Sequence, residues 1–381
     1  MKTVIAIDSL KGSLSSVEAG DAIRTAICRV QQNADVVIRP LADGGEGTVE
    51  ALTHGMGGAL QTVSVTGPLG EPVRAVYGIV RGDTAVIEMS AAAGLTLVDA
   101  AKRNPLYTTT YGVGELIRHA IGQGCRRFIV GIGGSATNDG GVGMLQALGY
   151  GMLDHEGRQV PFGAMGVKEL ATITQDEVLP ELRDCAFRIA CDVTNPLCGT
   201  AGCSAVFGPQ KGATPAMITA MDGWLKQYAA LAGRSFSRAD PQRSGTGAAG
   251  GLGFAFLTFT NAVLESGIQI VLDETRLEDY VKTADLVITG EGRIDGQTVM
   301  GKAPIGVAAM AKKYGKPVVA FAGCVTPAAK TCNEHGIDAY FPILQRTESL
   351  AECLKPETAR QNMIDTVEQV FRLLATAIHT I

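Results

Sequence analysis

The sequence predicts an α/β protein with two α/β domains. Its 381 residues supply material for two cores of ordinary size. The first forty residues alternate strand, helix and strand, and the same alternation returns after about residue 285. This rhythm favours parallel strands covered by helices, because a parallel neighbour needs a crossover connection.

The elements follow in order. Residues 4–7 are an apolar run that reads as a strand; residues 16–30 carry a helical period, and residues 36–39 form the next strand. Residues 62–66, 73–79 and 85–89 are short β-rich runs joined by Gly-Pro and Gly-Asp turns, which suits antiparallel pairing. Helices are expected over 112–122, 141–148, 215–231 and 252–264. Residues 233–251 are rich in Ser, Arg, Gly and Ala without an apolar period and read as a mobile loop. Strands at 286–289, 318–322 and 339–343, with helices at 306–313 and 357–378, complete the chain. The two chain ends are expected to build one discontinuous domain, Rossmann-like or flavodoxin-like, over residues 1–61 and 285–381. Residues 62–284 would be the inserted α/β domain.

Composition narrows the function. A hydrophobic content of 46% with 19% charged residues describes a globular chain without a run approaching the ~18 apolar residues of a membrane span. The net charge of −5 and the absence of a basic cluster disfavour nucleic acid as the partner. Residues 1–8 have too short an apolar core for a signal peptide, and nine scattered cysteines suit free thiols, so a cytoplasmic protein is expected.

The most informative segment is Gly131-Ile-Gly-Gly-Ser-Ala-Thr-Asn-Asp-Gly-Gly141, between a buried strand and a helix start. Glycines let a backbone approach a ligand, and helix N-terminal N–H groups suit an anion such as phosphate. Gly133, Gly134, Ser135, Thr137, Asn138, Asp139 and Gly140 are therefore candidate nucleotide contacts. Gly247 and Gly250 join them from Gly245-Thr-Gly-Ala-Ala-Gly250, a G-x-G-x-x-G match without the strand that a dinucleotide fold requires. Gly296-Gln-Thr-Val-Met-Gly-Lys302 resembles a P-loop, but Ala303 stands where a magnesium-binding hydroxyl is needed.

Polar loops follow several strands. Asp8-Ser-Leu-Lys11, Asp43-Gly-Gly-Glu-Gly-Thr48, Cys191-Asp-Val-Thr-Asn-Pro196 and Gly290-Glu-Gly-Arg-Ile-Asp295 sit where open α/β sheets collect ligands. Lys11 and Arg293 are expected to meet a carboxylate or a transferring phosphate, with Lys211 as a further cation. Ser9, Asp43, Thr194 and Asn195 are candidate substrate contacts, and Glu46, Glu291 and Asp295 candidate metal ligands. Asp192 is expected as a general base, with metal ligation as the rival role.

Together these motifs resemble the bacterial glycerate kinase family of the two-domain type. The resemblance rests on Asp8-Ser-Leu-Lys-Gly-Ser13, Ala42-Asp-Gly-Gly-Glu-Gly-Thr48, Val65-Thr-Gly-Pro-Leu-Gly70 and residues 131–141. It continues through Ala190-Cys-Asp-Val-Thr-Asn-Pro196, Phe207-Gly-Pro-Gln-Lys-Gly212, Gly247-Ala-Ala-Gly-Gly251 and Ile288-Thr-Gly-Glu-Gly-Arg-Ile-Asp295. It implies phosphorylation of D-glycerate by ATP with Mg2+ and no classical kinase domain. The product would be 2-phosphoglycerate, with 3-phosphoglycerate as the alternative. Glycerate and ATP would then be the partners, with no nucleic acid, no membrane and a homodimer left open. Two other classes stay beside it: a nucleotide-binding regulator without chemistry, and a nicotinamide-dependent oxidoreductase using residues 245–250.

Overall fold

The structure is a computed structural model that describes residues 1–42 and 44–378. In chain order the strands are β1 (Lys2–Ile5), β2 (Asp35–Ile38), β3 (Ala59–Thr66), β4 (Pro72–Val80), β5 (Thr84–Glu88), β6 (Arg127–Gly131) and β7 (Gly151–Leu153). They continue with β8 (Thr172–Thr174), β9 (Ala186–Ala190), β10 (Ala262–Glu265), β11 (Leu286–Ile294), β12 (Val318–Val325) and β13 (Ala339–Pro342). The helices used below are α1 (Ser16–Val30), α2 (Thr48–Gly55), α3 (Tyr111–Gly122), α4 (Val142–Ala147), α5 (Pro215–Ala232), α6 (Ala248–Phe259), α7 (Ala303–Lys313) and α8 (Pro356–Ile378). The expected α/β class is the one found. Among the described residues, no helix is long and apolar enough to cross a membrane.

The chain divides into two compact units, one of Met1–Asp43, Glu50–Met56 and Ile268–Ile381, the other of Gly44–Val49 and Gly57–Gly267. The first holds a parallel five-stranded sheet in the order β13-β12-β11-β1-β2. Both chain ends enter this sheet, with Val4 opposite Val287. Its core includes Ile5, Ile7, Ile23, Ile27, Phe321 and Phe371 from strands and from both α1 and α8. Helix α1 begins where the sequence provides a capping box: Ser15 accepts from the Glu18 N–H at 3.3 Å, and Glu18 accepts from the Ser15 N–H at 2.8 Å.

The second unit carries the six-stranded sheet β10-β9-β6-β5-β4-β3. Strands β3, β4 and β5 meander antiparallel, and β5, β6, β9 and β10 run parallel. Phe128 on β6 and Phe187 on β9 stack at 4.7 Å between ring centroids, inside a core that also takes Leu116, Leu145, Leu252 and Phe256. Strands β7 and β8 form a separate hairpin-like pair.

Three expected elements need correction. The apolar run 252–264 is not one helix: α6 stops at Phe259, and residues 262–265 pair with β9 as an edge strand. A run that is apolar on every side carries no period to separate the two forms. The strand at 286–289 continues to Ile294, so Glu291 and Arg293 lie in the β11 ladder rather than in a loop, Arg293 standing opposite Cys324. The 233–251 segment is not surface loop throughout, since residues 245–251 are buried.

Candidate active site

In the second unit the polar groups collect at the carboxyl ends of β5, β6 and β9. Strand β6 ends at Gly131, whose carbonyl accepts from the Met89 N–H at 2.9 Å, beside the end of β5. Glycine is required there, because a Cβ on Gly131 would lie 2.3 Å from the Gly44 carbonyl oxygen. Gly44, at φ +86°, is equally confined, with a Cβ 2.6 Å from that of Ala190 at the end of β9. The Gly44–Glu46 turn is thereby seated on two strand ends, leaving Glu46 exposed. Asp43 lies outside the described residues.

Glu88 fixes this turn from the end of β5. Its carboxylate accepts from the Val49 N–H at 2.8 Å in the first turn of α2. Burial pushes its pKa up; the backbone donors of Val49, Gly47 and Thr48 pull it down, and Glu46 pushes it further up. The sequence reading missed Glu88, although an acid closing an apolar strand is the same signal that marked Asp192.

The glycine-rich segment separates into two parts. Gly133 and Gly134 are exposed, Gly134 at φ +72°, while residues 135–140 are buried. Asp139 is fully buried and accepts from the Thr110 N–H and hydroxyl, both at 2.8 Å, and from the Gly141 N–H at 3.1 Å. The carboxylate thus ties the starts of α3 and α4 together, and burial raises its pKa against those hydrogen bonds. Asn138 donates to the Ser204 hydroxyl at 2.9 Å. Thr137, Asn138, Asp139 and Gly140 are buried, the Thr137 hydroxyl and the Asn138 Oδ1 having no partner among the described residues, while Gly133 and Gly134 form the exposed part of the bend.

Lys211 is buried beneath the same segment. Its side chain is 2% exposed and donates to the Ser135 hydroxyl at 2.8 Å and the Thr137 carbonyl at 2.6 Å. Desolvation brings its pKa down to about 8. The buried ammonium braces the loop from within. Gly247 and Gly250 also serve packing. A Cβ on Gly250 would fall 2.0 Å from the Thr137 carbonyl oxygen, and one on Gly247 would fall 2.2 Å from that of Pro196. The Gly140 N–H donates to the Gly250 carbonyl at 2.9 Å, so these glycines allow a close approach of protein backbone.

Asp192 emerges just beyond β9 and is exposed; one carboxylate oxygen accepts from the Gly267 N–H at 3.2 Å. That contact orients the side chain while leaving surface for a ligand. Thr194 is exposed beside it. Asn195 donates its side-chain amide to the Ala201 carbonyl at 2.8 Å, and its backbone carbonyl accepts from the Gly247 N–H at 2.9 Å.

The first unit has its own polar edge at the carboxyl ends of β1 and β11. Asp8 is buried and accepts from the Ser9 N–H at 2.7 Å, forming the turn that leads to exposed Lys11. A Cβ on Gly292 would come 3.4 Å from the Lys11 nitrogen, so the Lys11 turn packs against β11. Arg293 is 62% exposed and pairs with Asp295 at 3.3 Å. Glu291 accepts from the Thr298 hydroxyl at 2.6 Å and lies 3.4 Å from the Lys302 ammonium, an ion pair that sequence reading also missed. Burial is the main influence on Glu291 and raises its pKa. With its charge answered by Lys302, Glu291 does not fit as a magnesium ligand, and Asp295 is committed to Arg293 and the Gln297 N–H. Among the described residues, no group of three or more His, Cys, Asp or Glu is placed to cage a metal.

Comparison with known proteins places this architecture. The family model described as "Glycerate kinase family" matches residues 3–375. The chain is 50% identical over 380 residues to glycerate kinase of Haemophilus influenzae, covering 100% of both chains. It is 49% identical over 356 residues to glycerate 2-kinase of Escherichia coli, covering 93% of each. A crystal structure of a protein assigned as glycerate kinase 2 from Salmonella typhimurium LT2 superposes with a TM-score of 0.91 at 48% identity, covering 100% of this chain and 99% of that one. The chain belongs to the glycerate kinase family.

Proposed function

We propose that this protein transfers the γ-phosphate of ATP to D-glycerate, giving 2-phosphoglycerate and ADP. Family membership supports the kinase reading, and the 49% identity to a protein named glycerate 2-kinase favours the 2-position. The observation that carries the chemistry is the placement of an exposed, oriented carboxylate, Asp192, and the exposed Gly133–Gly134 bend on one strand-end face of the same unit. A hydroxyl is a weak nucleophile at neutral pH, and a carboxylate within hydrogen-bond reach orients it and accepts its proton as the new O–P bond forms. Thr194 is the neighbouring substrate contact. The backbone of Gly133 and Gly134 faces the nucleotide phosphates, held in shape by Lys211 from behind.

Phosphoryl transfer relies on positioning and charge stabilisation, so cations must reach the transferring group. On the first unit, Lys11 and Arg293 are the candidate cations for a phosphate or a carboxylate. Magnesium bound through nucleotide phosphates needs only one or two protein carboxylates, and the exposed Glu46 fits that demand where Glu291 and Asp295 do not. When bound, the ion neutralises charge on the phosphates.

An ADP-release assay across D-glycerate, glycolate, lactate and glycerol tests the substrate. Turnover highest on D-glycerate is expected; equal or greater turnover on glycolate or lactate removes the substrate assignment. ATP binding without turnover on any of the four would favour the regulator reading.

A further inference from the structure

The second unit carries a cavity of about 370 Å³ at the end of its sheet opposite to Asp192. It lies at the amino-terminal ends of β9 and β10, among residues that the reaction does not use. Tyr150, Phe236 and Phe259 form an aromatic wall, with ring centroids 4.4 Å apart for Phe236 and Phe259 and 5.3 Å for Tyr150 and Phe259. The Tyr150 hydroxyl is satisfied by the Phe259 carbonyl at 2.7 Å; Tyr150 and Phe259 are buried, and the half-buried Phe236 is the most accessible of the three rings.

Two guanidinium groups flank these rings. Arg238 is pinned by its donations to the Thr260 and Ala262 carbonyls at 2.6 and 2.8 Å, which fixes a positive charge at the rim. The Arg183 guanidinium is exposed and donates to no described residue, while its backbone carbonyl is held by the Asn261 amide at 3.0 Å. The independent indication is Thr258. This residue is 5% exposed and lines the cavity, and its hydroxyl oxygen is buried with no hydrogen-bond partner among the described residues. A helical threonine can return its hydroxyl to a carbonyl one turn back, as Thr25 in α1 does to Asp21 at 2.7 Å. Leaving a buried hydroxyl unpaired is costly, and such groups call for an explanation.

We propose that this cavity is a binding site for a small organic anion with a planar apolar body. The Phe236 ring, backed by Tyr150 and Phe259, would stack on the flat part, Arg183 and Arg238 would face the anionic group, and Thr258 would hydrogen-bond to it. Its volume lies within the range of small-ligand pockets.

Benzoate is the probe, titrated calorimetrically into the intact protein held in saturating D-glycerate so that any carboxylate site used by glycerate is occupied. Saturable binding is expected, at least about tenfold weaker for the neutral isostere benzamide and at least about tenfold weaker for benzoate on Arg183→Met. Arg183 is exposed and its guanidinium makes no internal hydrogen bond, so this variant should fold; Thr258→Val, which keeps the side-chain shape, should weaken benzoate about threefold or more. No saturable binding of benzoate, or an affinity unchanged in both variants, overturns the proposal.

Discussion

Asp192 and Lys211 are charged residues of the same unit with opposite environments, and their predicted behaviour differs accordingly. Asp192 is exposed, and one of its carboxylate oxygens accepts from the Gly267 N–H. Asp192→Asn keeps its size and removes the proton acceptor, so kcat should fall about 10²-fold or more with Mg-ATP and glycerate affinities largely kept. A folded variant within a few-fold of the parent would contradict the base role; a raised magnesium requirement would move Asp192 to the metal. Lys211 is buried with its pKa brought down from 10.5 to about 8. Below about pH 8 both folded and unfolded states carry its proton, and the cost of burying charge is present in full. Between about 8 and 10.5 the folded state sheds the proton while the unfolded state keeps it, so stability rises with pH through this window. Urea unfolding at pH 7.5 and pH 10 should show the parent gaining about 2 kcal/mol relative to Lys211→Met, since other titrating groups cancel in the difference. The same pH dependence in both proteins would mean that Lys211 is not a desolvated ammonium. Sequence alone singled out both residues by their motifs, but it could not separate them, because depth in the fold is not written into a local motif.

At the scale of elements, glycines that look alike in sequence have different duties. Gly250 sits at φ +66° with Thr137 backbone in the way of any Cβ, at the left-handed start of α6. Gly250→Ala should destabilise the protein by more than about 3 kcal/mol, read as a loss in melting temperature and urea midpoint. Gly133 has only a 3.6 Å contact with the Gly45 Cα, an ordinary van der Waals distance. Gly133→Ala should leave the melting temperature nearly unchanged while raising KM for ATP, because the added methyl stands on the exposed bend. An unaltered KM would remove that bend from the nucleotide site. The strand–turn–helix form of this segment was legible from its glycines and flanking apolar runs; the inward turn of Thr137, Asn138 and Asp139 was not, since their partners Thr110, Ser204 and Lys211 are distant in sequence. Edge strand β10 was hidden for a related reason. Val263 and Leu264 continue an apolar helix in sequence, and only pairing with Arg188 and Ile189 makes them a strand.

At the scale of the whole chain, the α/β class and the antiparallel β3–β4–β5 meander followed from period and turn chemistry, and both chain ends do enter one parallel sheet. The length of β11 did not follow, because Gly290, Glu291 and Gly292 read as loop until β12 pairs with them. The substrate class was legible through the motif set rather than through any single residue, and the position phosphorylated is not encoded in a pattern of glycines and acids. The most direct test of the account is therefore the reaction itself. Purified protein with Mg-ATP and D-glycerate, followed by phosphorus NMR of the product and parallel ADP measurement, should give ADP and 2-phosphoglycerate in equal amounts. No ADP release with D-glycerate, or 3-phosphoglycerate as the product, would contradict it.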